Sequence, residues 1–298
     1  MLDVRKLRML RELARLGTIV AVADALSYTP SAVSQQLSAL ERAAGVALMK
    51  RSGRRVELTP AGADLAERAG PVLALLEQAS AALASARSEV VGELRIGAFP
   101  TAVRTLLPAA LVALGAEHPK LELHVTELDP AGVPDALRVG TLDIALVHDY
   151  DYVPAAPDPA LDTRPLLTET IFLAASGHAA ALPEHSSAPW IVGSPGTLCH
   201  LMAVRLCQAS GFTPRIRHYA DDFAAVLALV AAGQGVALVP ELALADCPDG
   251  VTLTALPARR RTLIACRAGA AGHPANAACA AALHSAAAAY LAGSRLSG

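Results

Sequence analysis

"YTPSAVSQQLSALE", Tyr28 to Glu41, is the stretch on which the reading of the whole chain turns. At about 100° per residue, Ser31, Ser34, Gln35 and Ser38 fall within roughly a third of a turn, while Val33, Leu37 and Leu40 gather on the opposite side. One side is for packing. The other carries hydroxyls and an amide but no charge, where a merely solvated face takes Lys, Glu and Arg. Such groups suit base edges and phosphates. On this helix alone, a polar face that meets only water stays open as the alternative.

The flanks narrow the choice. Thr29 followed by Pro30 is a helix start: the Thr side chain accepts from free amides, and Pro at the first position gives up a donor that had no partner. Upstream, Leu7, Leu10, Leu13 and Ala14 mark the inner side of a helix from Val4 to Leu16, ended by Gly17, and Ile19, Val22, Ala23 and Leu26 mark a second helix opened by Thr18. Two short helices joined by a tight break form a helix-turn-helix, whose second helix enters the DNA major groove. Thr29, Ser31, Ser34, Gln35 and Ser38 are therefore the expected DNA contacts. Downstream, "RSGRRVELTPAG" sets Arg51, Arg54 and Arg55 around a Ser52-Gly53 turn, a hairpin wing suited to phosphate. Standing alone it would read as a solvated basic loop; directly behind a helix-turn-helix it reads as part of the reader.

Thr59-Pro60 repeats the start signal and opens a long helix. Residues 60–88 would span about 44 Å at 1.5 Å each. Leu65, Ala69, Val72, Leu76, Ala79 and Leu83 are spaced alternately by four and three, a heptad seam. We read it as a dimerisation seam; the alternative is a helix packed on its own body.

Composition sets the frame. A chain of 298 residues, 53% hydrophobic, can bury several cores. Residues 1–60 hold ten Lys and Arg against five acids, and the remainder holds 15 against 22, so a basic head sits on an acidic body and the head is the part that meets a polyanion. The N-terminus has charges throughout and no apolar core with a cleavage site, and no apolar run is long enough to span a membrane, so a cytoplasmic location without membrane contact is expected. The five cysteines form no C-x-x-C pair, and Cys199, His200 and Cys207 match no standard zinc spacing. No metal or cofactor is expected. The chain carries no G-x-S-x-G elbow, P-loop, H-E-x-x-H or dinucleotide fingerprint. A non-enzyme follows as the expectation.

In the body, "ELRIGA", "LELHVTE" and "LDIALV" read as strands separated by helices over Val103–Ala116 and Ala131–Val139, a βαβαβ pattern that predicts a parallel sheet with ligands beyond the carboxyl ends of its strands. A second such unit runs from about Pro165 to Pro257, with "TETIFLAAS", "PWIVG", "PRIRHYA", a helix over Asp222–Ala232 and "GVALVP"; "HDYDYVPAAPDPALDTRP" is the crossover between them. Candidate ligand contacts follow from strand ends. Pro100 and Thr101 open a helix after the first strand, Thr101 being a helix cap, a contact, or both. His148 ends the third strand, Thr197 and His200 sit at another strand-to-helix turn, and Tyr219 and Asp221 follow a further strand. The two histidines read equally well as core or surface residues, and Asp221 as a cap for the next helix.

"TPSAVSQQLSALE", "RSGRRVELTPAG" and the long helix together resemble the N-terminal part of LysR-type transcriptional regulators, and the likeness continues through "GELRIGAFPTAVRTLLPAAL", "HPKLEL", "LRVGTLDIALV" and "LVAAGQGVALVPE". Met49 stands where the family usually has an aromatic residue and Val22 where it usually has Ala. The resemblance implies an α/β fold class: a winged helix-turn-helix over 1–59, a linker helix over 60–88, and over 89–298 a two-lobed effector domain like a periplasmic binding protein. Lobe 1 would take about 92–160 plus 265–298 and lobe 2 about 163–262. It places the candidate contacts in a cleft between the lobes. It implies a regulator of transcription that binds double-stranded DNA and a small effector, assembles as a homodimer and further as a tetramer, and has RNA polymerase as a further partner. The competing class is a cytosolic solute-binding or enzymatic protein with an accessory DNA-binding head.

Overall fold

A computed structural model describes residues 2–52, 55–87, 89–178 and 180–294. Local signals place the head's helices. In α1 (Val4–Leu16) Asp3 Oδ1 accepts from the amides of Arg5 and Lys6; in α2 (Ile19–Leu26) Thr18 accepts from Ala21; in α3 (Pro30–Ala44) Thr29 Oγ1 accepts from Ala32 at 3.2 Å. Leu7, Leu10, Leu13, Val22, Ala23, Val33, Leu37 and Leu40 close over one core, so the side of α3 expected to pack does pack. Strands β1 (Met49–Ser52) and β2 (Arg55–Leu58) pair antiparallel as the wing. Glu41 Oε1, accepting from Leu48 N and Met49 N at 2.9 Å each, pins the wing's root to the end of α3. Met49 packs partly buried against this core.

Helix α4 runs Pro60–Ser85. Gly62 is required there, since a Cβ at that position would lie 2.0 Å from the Leu48 carbonyl oxygen. The expected seam divides in two. Leu65 packs on the head core and Ala69, 1% exposed, lies inside it, so Ala69 is spent within the chain and is withdrawn from the seam. Val72, Leu76, Ala79 and Leu83 are exposed, and Leu75, 65% exposed, joins them.

The body follows as β3 (Gly92–Ala98), α5 (Pro100–Thr105), α6 (Leu107–Glu117), β4 (Leu121–Glu127), α7 (Val133–Val139), β5 (Ile144–Tyr150), β6 (Leu161–Ser176), β7 (Pro189–Val192), α8 (Leu198–Ala209), β8 (Arg215–Tyr219), α9 (Phe223–Ala231), β9 (Ala237–Pro240), β10 (Val251–Arg267) and α10 (Pro274–Ser294). The single helix expected over Val103–Ala116 starts earlier and is broken: Pro108 has no N–H to continue α5, and α6 begins instead. Residues 131–132 belong to a 3₁₀ turn, Pro130–Gly132, and α7 begins after it.

The main sheet has the order β4-β3-β5-β10-β6-β9. Strands β3, β4 and β5 are parallel, as the sequence pattern predicts for the first unit. The second unit departs from the prediction. β10 runs antiparallel to β5 and β6, and β6 antiparallel to β9, while β7 and β8 form a separate parallel pair bridged to the chain ahead of β9 through Trp190 and Val236. The cause is length: β6 and β10, at 16 and 17 residues, each serve both lobes, and two strands that cross the same gap in opposite directions pair antiparallel. Leu167 and Ile264 pack in the first lobe's core, Ile171 and Ala258 in the second's. On β10 the change of core falls between Ala258 and Ile264, a stretch that contains a register break between Thr262 and Leu263 and follows another between Ala255 and Arg259.

Head and body touch along α1, α4 and α7. Arg15 Nη1 lies 3.0 Å from Asp135 of α7, and Glu77 of α4 meets Arg267 at 3.1 Å. Gly269, at φ 86°, lets its turn approach α4 so closely that a Cβ would stand 2.2 Å from the Ala74 carbonyl oxygen.

Candidate effector cleft and nucleic-acid interface

On α3 the side chains of Thr29, Ser31 and Gln35 are exposed, and Ser34 and Ser38 partly so. Thr29 Oγ1 is shared between its cap bond and a 3.0 Å bond with Ser31 Oγ, which fixes both hydroxyls at the helix start. Of the expected wing contacts, Arg54 lies outside the described residues, as do the side chains of Arg51 and Arg55.

Between the lobes lies a cavity of about 280 Å³. Each side of it is built at the end of a strand. Phe99, Pro100 and Thr101 come from the β3–α5 junction, Glu127, Leu128, Asp129 and Pro130 from the end of β4, His148 from β5, Thr197 and Cys199 from the start of α8, Asp221 and Phe223 from the start of α9, and Arg260 from β10. Pro100, Thr101, His148, Thr197 and Asp221 of the expected contacts thus share one wall. His200 and Tyr219 do not lie on it. His200 Nδ1 is 2.9 Å from the Gly193 carbonyl oxygen and the ring stacks on Tyr219 at 6.2 Å, so both are held by the loop after β7.

Several wall residues are engaged already. The N-cap of α5 is Phe99, so the capping role of Thr101 is excluded; its Oγ1 instead accepts from Arg260 Nη2 at 3.1 Å. Thr197 Oγ1 accepts from His200 N and donates to Ser194 O at 2.8 Å. Asp221 accepts from Ser194 N at 2.7 Å and Ser194 Oγ at 2.6 Å, tying two loops together, while Asp222 is the residue that caps α9.

The floor is the part that sequence reading missed. Arg260 is buried, 2.7 Å from Glu169, whose other oxygen accepts from Leu242 N at 2.7 Å. Burial opposes the guanidinium's charge, yet Glu169 holds its pKa above the usual value. Its carbon sits 4.9 Å over the Phe99 ring. His148 stands edge-on to Phe99 and Tyr150, at 4.8 and 5.1 Å, and burial, aided by Arg260, pushes its pKa well below the ordinary value. Thr262 lies directly across from His148, and the buried Thr262 Oγ1 and His148 Nδ1 both lack a hydrogen-bond partner among the described residues. Tyr150 Oη and Cys199 Sγ are 3.3 Å apart; burial raises both pKa values. The signal for Arg260 was present in "ARRRT": alternation sends the middle residue of three inward. Nothing near Arg260 in sequence marks it as buried, because its partner Glu169 is 91 positions away.

Among the described residues, the side chains grouped closely enough to hold a metal are Glu93, Glu122 and His124, all exposed on β3 and β4 and away from the cleft wall. No helix of the described residues is long and apolar enough to cross a membrane.

Comparison with known proteins gives this arrangement its relatives. Residues 4–63 match the family model for bacterial regulatory helix-turn-helix proteins of the lysR family, and residues 87–288 match that for the LysR substrate binding domain. The chain is 32% identical to the HTH-type transcriptional regulator TfdS of Cupriavidus pinatubonensis over 80% of its length and 82% of the relative's. It is 31% identical to ClcR of Pseudomonas putida over 83% and 86%. Among solved structures, a cysteine mutant of Corynebacterium glutamicum OxyR matches with a TM-score of 0.61 at 26% identity, covering 100% of this chain and 95% of that one. CbnR in complex with its target DNA shares the fold at 23% identity, a TM-score of 0.54 and coverage of 96% and 100%. A winged head carrying an uncharged polar face, joined to a two-lobed body with a cleft at its strand ends and matched along nearly its whole length, belongs to the LysR family: the chain is a DNA-binding transcriptional regulator whose action is controlled through an effector-binding domain.

Proposed function

We propose that α3 reads operator bases through Ser31, Ser34, Gln35 and Ser38, with Thr29, Arg51, Arg54 and Arg55 gripping phosphate, and that a small effector in the cleft sets how two such heads are spaced. The exposed stripe of Val72, Leu76, Ala79 and Leu83 on α4 pairs two chains, pairs assemble further into tetramers, and RNA polymerase is the partner that converts operator binding into altered transcription. The observation that carries the coupling is a short structural path. Leu128, Asp129 and Pro130 of the cavity wall run directly into α7, whose Asp135 lies 3.0 Å from Arg15 of the head. A ligand that shifts the wall shifts the helix on which the head rests.

Some relatives carry the name "Probable hydrogen peroxide-inducible genes activator". For this chain such a reading would need a reactive Cys199; the thiol lines the cleft 3.3 Å from Tyr150 Oη, and burial raises its pKa, which lowers the share of the reactive thiolate.

In vitro selection from random DNA at about 0.15 M salt tests the proposal. An inverted repeat with half-sites about one helical turn apart is expected. No enrichment with the cleft empty or with metabolite extract present would leave the solute-binding and enzymatic readings in its place.

A further inference from the structure

Resting on the reading of the cleft as the effector site, we propose that its ligand is a small organic cation, an amine on an apolar body, and not an anion. Among the described residues, Arg260 is the one positively charged side chain on the cavity wall, and its charge is already met by Glu169 at 2.7 Å, with Thr101 taking a further donor. The two buried ions make a neutral pair, so Arg260 offers an incoming anion little net attraction. An anion drawn to Arg260 would leave two negative charges around one positive in a place from which water is excluded.

The carboxylates on the wall give it its remaining charge. Glu127 and Asp129 stand on the first lobe's side of the mouth and Asp221 on the second's. Asp129 accepts from Ala131 N at 2.8 Å and Asp221 from Ser194; a carboxylate has about four lone-pair sites, so both keep acceptors for a ligand. The neighbouring cation, Arg104, is answered by Asp222 across the cleft at 3.6 Å. His148 adds no positive charge to the wall, since its buried imidazole is held neutral.

The apolar share of the wall fits the same class. Leu128, Pro130 and Phe223 surround the mouth carboxylates, which matches an alkyl or aryl body with its ammonium among the acids. Phe223 follows Asp221 by two residues and supplies an aromatic face, to which cations are attracted. At about 280 Å³ the cavity lies at the small end of ligand sites, so the class is a simple amine.

The test uses the full chain, by thermal shift and calorimetry, with two sets of matched probes: phenethylamine, hydrocinnamate and phenethyl alcohol, and hexylamine, hexanoate and hexanol. The amines should raise Tm and bind more tightly than their acid and alcohol counterparts, and rising salt should weaken them. Asp129→Asn and Glu127→Gln should each reduce amine affinity about threefold to tenfold. Glu127 is exposed at the end of β4, so its replacement keeps the test alive if Asp129→Asn misfolds. Tighter binding of either acid, no binding of either amine, or amine affinity unchanged by both replacements would overturn the proposal. Each of these results leaves the DNA selection untouched, so a wrong ligand class and a wrong function are told apart.

Discussion

Arg260 and Glu169 stand directly opposite one another on β10 and β6, Nε 2.7 Å from Oε1, with both side chains 1% exposed. A pair so deeply buried stabilises the fold only while it stays whole. Arg260→Met or Glu169→Gln alone leaves an unanswered charge and should cost about 3–5 kcal/mol, whereas joint replacement by apolar residues should cost much less. Urea unfolding of the two single variants and the double variant measures the difference; additive losses would mean that the partners act independently.

His148 carries a pH dependence of definite sign. Its folded pKa lies well below the 6.5 of a free imidazole, so the unfolded chain takes up a proton that the folded chain refuses. The contribution of the neutral imidazole is therefore fully present above about pH 6.5 and is lost as pH falls below it, at no more than about 1.4 kcal/mol per unit. Comparing Tm between neutral pH and pH 5 in the native chain and in His148→Phe should show a smaller acid-side loss in the variant. An imidazole seen by NMR to titrate near 6.5 would refute it.

The thiols should be sluggish. Burial raises Cys199, and pushes Cys266 up to about 11 and Cys207 up to about 12, so little thiolate exists at neutral pH. Alkylation of the folded chain, followed by mass spectrometry, should run slower at Cys199 than for free cysteine. Hydrogen peroxide should leave operator binding unchanged; rapid oxidation of Cys199 with a change in DNA affinity would restore the peroxide reading.

Gln35→Ala should lower affinity for the selected operator by about 1–3 kcal/mol while sparing nonspecific binding. Competition against bulk DNA separates the two. Equal loss on both would make Gln35 a support for the helix and not a reader.

The stripe on α4 predicts an assembly defect. Leu76→Asp places a charge among Val72, Ala79 and Leu83 and should shift the chain toward monomer in sedimentation, with unchanged helix content by circular dichroism. An unaltered sedimentation coefficient would assign pairing to another face.

What the sequence made legible was local. The Thr-Pro starts, the apolar spacing of α1 to α3 and the strand-to-helix turns at Pro100 and Thr197 are set within a few residues, and the structure puts helices there. The misses involve distant partners. Ala69 has the spacing of a seam, but the head's core claims it, and no pattern inside α4 reveals which surface arrives first. Antiparallel pairing of β6 with β10 depends on two runs some 90 positions apart, and the same pairing buries Arg260. His200 and Tyr219 sit near the right turn, yet a backbone carbonyl and a stacked ring hold them beside the wall.

Two register breaks, between Ala255 and Arg259 and between Thr262 and Leu263, interrupt the pairing of β10 with β6 where the two strands pass between the lobes. Two independent connections would let one lobe slide over the other. Here β6 and β10 are laddered to each other on both sides of the breaks, a ribbon geometry that favours bending across its plane over sliding within it. On the proposed reading of the cleft, such a ribbon would turn ligand size into an angle between the lobes, and a change in that angle would reach the head through α7, whose Asp135 lies 3.0 Å from Arg15.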